Sequence, residues 1–127
     1  MYYEQLRQAK AELTGPGGAF EVIEAPVLGQ MLRCYKNVPP SARELWLSTI
    51  AYADRPYLVF GDERISYGEA HRIVNAVAGW MVEQGVKPGD RVAIAMRNYP
   101  EWMLIYWACL SSGIAAIGMN AWWTAEE

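Results

Sequence analysis

The chain is predicted to be α/β, a mostly parallel sheet with helices on both faces plus a small hairpin. Three observations predict this class. Between Arg91 and Met119 an apolar strand, a helical stretch and a second apolar strand follow one another. That succession makes a βαβ unit, too long for a hairpin and of the right length for a parallel crossover. Both strands are apolar along their length instead of alternating, as a sheet covered on two sides requires. Finally, the helical stretches between strands open with recognisable caps.

In chain order, Tyr2, Tyr3, Leu6, Ala9 and Leu13 fall at helical spacing, and a short amphipathic helix is expected over 2–13. Thr14-Gly15-Pro16-Gly17-Gly18 ends it. Phe20 to Asn37 has no strong period and reads as extended segments and turns running over a neighbour. Ser41 and Glu44 form a capping box, after which Ala42, Leu45, Trp46, Thr49, Ile50 and Ala53 follow a 3.6-residue period. Tyr57–Phe60 and Arg64–Ser66, joined through Gly61-Asp62, form the hairpin.

Ser66 and Glu69 repeat the capping box, and Ala70, Ile73, Val74, Val77, Trp80 and Met81 mark the buried face of a helix that Gly85 closes. Gly79 inside it costs about 1 kcal/mol relative to Ala, so close approach of another element is expected there. Lys87-Pro88-Gly89-Asp90 is a turn, and Arg91–Met96 is a strand. Asn98 is the expected cap of the next helix, with Pro100 near its start and Glu101 in the first turn. Trp102–Leu110 is apolar nearly all round, which predicts burial on more than one side. Gly113 ends that helix, and Ile114–Met119 is the last strand.

Thr124-Ala125-Glu126-Glu127 is a third capping-box pattern, directly after Trp122-Trp123. With a sheet that has only begun, it predicts a chain truncated at 127. The expected organisation is an N-terminal helix and extended lead-in over 1–40 and the start of an α/β subdomain over 41–127.

Composition narrows the function classes. At 127 residues the chain is about one domain long, and 53% hydrophobic residues suffice for a core. Its net charge of −3 and scattered lysines and arginines point away from nucleic acid. The longest apolar run is too short to span a bilayer, and Met1–Leu13 is not a signal peptide, so no transmembrane segment is expected. Cys34 and Cys109 lack metal-ligand spacing and read as reduced thiols of a cytoplasmic protein.

No residue presents itself as an active site. The glycines at 15, 17 and 18 follow a helix instead of opening one, and Pro16 removes a donor, so a phosphate loop is disfavoured. His71, the single histidine, sits at the edge of a helical face without ligand-spaced partners. Asp54, Asp62, Glu63 and Glu69 read as turn or cap residues, Asp90 as fixing the turn into a strand, and Cys109 as core. Trp102, Tyr106 and Trp107 form an aromatic stripe that reads as packing ahead of ligand stacking. No catalytic, cofactor-binding or metal-ligating residue is therefore expected in this chain.

Four pieces of sequence, in order, carry a resemblance. They are Tyr57-Leu58-Val59-Phe60-Gly61-Asp62-Glu63-Arg64-Ile65-Ser66-Tyr67, then Gly85-Val86-Lys87-Pro88-Gly89-Asp90-Arg91-Val92-Ala93-Ile94, then Asn98-Tyr99-Pro100-Glu101-Trp102, then Gly113 with its strand and Met119-Asn120. Together they resemble the N-terminal part of adenylate-forming (AMP-binding) enzymes. Val27-Leu28-Gly29-Gln30 and Tyr35-Lys36-Asn37-Val38-Pro39 are similar to the lead-in of fatty-acyl-CoA synthetases, or long-chain fatty acid–CoA ligases. The resemblance implies a parent acid–thiol ligase that converts a fatty acid, ATP and CoA into acyl-CoA, AMP and pyrophosphate through an acyl-adenylate, with Mg²⁺. It also implies that the family's phosphate loop, nucleotide motifs and catalytic lysine lie downstream, so this chain alone is expected to be inactive and without cofactor. Its expected partner is the remainder of the parent enzyme, with self-association through uncovered apolar surface. The alternatives are a stand-alone Trp-rich interaction module and another adenylating enzyme, such as an aryl-CoA ligase or a peptide-synthetase adenylation domain.

Overall fold

A computed structural model of the chain describes residues 2–124 and 126. Two units emerge, 1–39 and 40–127. In the first, helix α1 (Tyr2–Thr14) buries none of its residues, and the chain after it folds back so that the Phe20 amide donates to Leu13 O at 2.8 Å. Strands β1 (Val22–Val27) and β2 (Gln30–Tyr35) pair antiparallel, with Val27 opposite Gln30. A hairpin thus replaces the loosely extended lead-in. Its signal was hidden because the turn is Leu28-Gly29, with positive φ at both residues (49° and 81°), where Asn-Gly or Asp-Gly is the usual marker. At the open end Lys36 Nζ pairs with Glu21 at 3.0 Å, and Phe20 meets Tyr35 edge-on.

The second unit begins with α2 (Ala42–Ser48), capped as expected by Ser41 Oγ, which accepts from the Glu44 amide at 3.1 Å. The helix then tightens to a 3₁₀ turn over Thr49–Tyr52. Ser48 and Thr49 cause this, each donating its hydroxyl to the carbonyl three residues back (Leu45 and Trp46, both 2.7 Å). Strands β3 (Pro56–Phe60) and β4 (Glu63–Ser66) form the hairpin around Gly61-Asp62. Helix α3 (Tyr67–Glu83) opens with the full Ser66/Glu69 capping box. Its next free amides, of Tyr67 and Gly68, donate to Arg55 O and Ala53 O.

Gly85 ends α3 with φ 85°: its amide donates to Val82 O and that of Val86 to Met81 O. Strand β5 (Arg91–Ile94), helix α4 (Pro100–Ser111) and strand β6 (Ala115–Gly118) complete the βαβ unit. The two strands pair in parallel, Arg91 with Ala115 through Ile94 with Gly118. Gly113 (φ 71°) closes α4 by the same paired bonds, to Leu110 O and Cys109 O. Asp90 fixes the turn into β5, accepting from the Lys87 amide at 2.8 Å.

Several expectations are corrected. The sheet is not mostly parallel: among the described residues there are three separate two-stranded sheets, of which only β5–β6 is parallel. Helices do not cover both of its faces either. Val92, Ile94 and Ala116 are buried or half-buried on the side that α4 packs, while Arg91, Ala93, Ala115 and Ile117 on the other side are exposed. One crossover helix covers one face of a strand pair, and nothing among the described residues supplies the second layer. Asn98 is not the cap of α4. Tyr99 is, without a side-chain bond, and Pro100 occupies the first turn. Trp80, assigned to the buried face of α3, is 60% exposed, and Gly79 has open space where a Cβ would stand. The cap pattern at 124–127 includes Ala125 and Glu127, which lie outside the described residues.

The core gathers Trp46, Val74, Met81, Leu104, Ala108, Cys109 and Ile114, with α4 packed against α3, α2 and β3 as well as the strand pair. Every residue from Trp102 to Leu110 is buried or half-buried, which accounts for the helix being apolar all round.

Two glycines should therefore respond in opposite directions to alanine. Gly79→Ala should stabilise the chain by about 1 kcal/mol, since the helical position gains propensity and meets no clash. Gly113→Ala should destabilise by at least about 1 kcal/mol, because φ is 71°, a left-handed conformation that alanine adopts only with strain. Urea unfolding of each variant measures both.

Candidate functional site

The second unit is organised around a stack of rings. Trp46, 1% exposed, lies between Trp107 (centroids 5.0 Å apart, 17° between planes) and His71 (4.2 Å, 22°). Tyr57 closes the side: its ring is 5.6 Å from Trp46, and its hydroxyl accepts from Trp107 Nε1 at 2.6 Å. Tyr67 continues the cluster at 4.6 Å from Tyr57. Four elements, α2, β3, α3 and α4, each contribute a ring. Sequence periodicity could not join them, because each belongs to a different segment.

His71 is thereby placed as packing. Thr49 Oγ1 lies 3.0 Å from His71 Nε2 and donates its own proton to Trp46 O, which leaves the hydroxyl oxygen to accept from Nε2–H. Burial holds the imidazole below its ordinary value of 6.5. Cys109 is fully buried in the core, and burial raises its thiol pKa, the opposite of an activated nucleophile. Glu69 bonds to the Ser66 amide and hydroxyl, which lower its pKa. Asp62 lies in the β3–β4 turn, Glu63 begins β4, and Asp54 is exposed after the 3₁₀ turn. The structure brings none of these carboxylates into an acid–base pair.

The glycine-rich segment after α1 spends its amides on its own chain. Gly15 donates to Ala11 O, Gly18 to Gly15 O, and Gly17 to the Glu21 carboxylate at 3.0 Å. That carboxylate would have to leave before a phosphate could enter, so the segment does not fit a nucleotide's phosphates. Among the described residues no group of three His, Cys, Asp or Glu converges to hold a metal ion.

What the fold does build is a cleft of about 620 Å³ beyond the carboxyl ends of β5 and β6. In open α/β sheets this is where ligands enter. Trp102 forms one wall, passing 3.3 Å from where a Cβ on Gly118 would stand, so glycine there admits the indole. Trp102 also stacks on Tyr106 at 5.4 Å, so the aromatic stripe divides: Trp107 turns into the core and Trp102 to the cleft. Arg97 is the one charged residue among the described residues of the lining, and its guanidinium lies 4.5 Å from the Trp122 ring centroid. Trp122 and Trp123 are 74% and 46% exposed. Among the described lining residues the arrangement offers stacking and a single cation.

Comparison with known proteins resolves the affiliation. Residues 48–127 match the model of the AMP-binding enzymes. The chain belongs to that family. It corresponds to an N-terminal part of the adenylate-forming enzymes. Over 69 residues it is 38% identical to a medium/long-chain-fatty-acid–CoA ligase of Mycobacterium tuberculosis, covering 54% of this chain and 12% of that one. Over 82 residues it is 33% identical to a 3-hydroxybenzoate–CoA ligase of Aromatoleum sp., covering 65% and 14%. Its fold resembles the N-terminal subdomain of NpsA from Klebsiella oxytoca, with a TM-score of 0.65 at 22% identity over 68% of this chain and 23% of that one. This AMP-binding chain thus spans about an eighth of the length of these curated relatives.

The buried histidine makes a pH prediction. Its pKa is lowered in the fold, so the unfolded chain takes up a proton near 6.5 while the folded chain resists it. His71 therefore contributes its full stability above about pH 6.5 and loses it as pH falls below that value toward its folded pKa. The Trp46 face attracts a cation and makes the loss shallower. Thermal unfolding between pH 7.5 and 5.5 should show a falling Tm in the wild type and a flatter profile in His71→Phe.

Proposed function

We propose that the chain is the opening part of an ATP-dependent acyl-CoA synthetase acting on a fatty acid. The reaction joins the carboxylate to AMP with release of pyrophosphate, and the thiol of CoA then displaces AMP to give acyl-CoA. The family match over 48–127 carries this reading, and the 38% identity to a fatty-acid–CoA ligase supports the substrate class. Within such an enzyme this chain supplies scaffold. Its rings and caps hold a βαβ unit whose open sheet face and cleft adjoin the remainder of the polypeptide. ATP, Mg²⁺ and CoA are handled by that remainder, and the chain alone is inactive. The reading places the enzyme in the cytoplasm; no helix among the described residues is long and apolar enough to cross a membrane.

A second reading has its own support. The 33% identity to a 3-hydroxybenzoate–CoA ligase covers more of this chain than the fatty-acid match does, and favours an aromatic acid. The exposed Trp122 and Trp123 are also what a Trp-rich interaction module without catalysis would present.

ATP–pyrophosphate exchange separates these readings. The purified 127-residue chain should give no exchange with any acid, and the full product of its reading frame should give exchange with medium- or long-chain fatty acids. Exchange by the short chain would refute the scaffold role. Exchange of the full product with aryl acids alone would replace fatty acids as substrate. An open reading frame that encodes no further adenylating machinery would favour the interaction module.

A further inference from the structure

We draw no further inference here: the strongest candidate, the apolar groove between β3 and the start of α4 lined by Leu58, Phe60, Pro100 and Met103, shares Tyr99 and Trp102 with the cleft already described, and nothing in the structure shows what covers it.

Discussion

The indole of Trp46 is the contact on which the second unit depends. It sits between Trp107 of α4 and His71 of α3, with Tyr57 of β3 against its side, so one ring from α2 joins four elements. Burying a ring of roughly 200 Å² contributes about 5 kcal/mol at most by area. Against this, Trp46 Nε1–H has no partner among the described residues, a cost of about 1–3 kcal/mol. Burial wins, but the margin is small enough that the flanking rings matter. Trp107 is held by its bond to the Tyr57 hydroxyl and His71 by Thr49.

The position of that cluster explains the asymmetry of the unit. The apolar residues of α3 and α4 converge on the ring stack, and α4 then covers one face of the β5–β6 pair. The other face, with Ala93, Ala115 and Ile117, remains exposed. The strands end beside a cleft walled by Trp102 and Trp122. A scaffold closed on one side and open on the other is suited to sharing a sheet and a site with more polypeptide. This physical ground for the proposed role is independent of sequence identity.

Local chemistry was legible from the residues. The Ser41 N-cap, the Ser66 capping box, left-handed glycines at 85 and 113, and the Asp90 turn each depend on a few neighbouring positions, and each stands where those positions require. The βαβ unit was equally readable, because a continuously apolar helix between two apolar strands allows few arrangements. Features that depend on distant residues were not. The ring stack joins positions up to 61 apart in sequence, from Trp46 to Trp107, and no periodicity within one helix shows which ring meets which. The same limit rotated the face of α3, burying His71 and exposing Trp80. The 22–35 hairpin was hidden for a local reason, since a leucine occupies the turn position that normally identifies such a loop. The cleft also escaped notice, because Arg97 and Trp122 meet only after β5 and β6 have paired.

The most direct measurement is equilibrium unfolding of Trp46→Ala, followed by the circular dichroism of the helices. If the ring stack ties α2, α3 and α4 together, the variant should lose about 3–5 kcal/mol, or the whole cooperative transition if the chain has less than that to lose. A loss below about 1 kcal/mol with cooperativity intact would show that the unit is held elsewhere and would contradict the account.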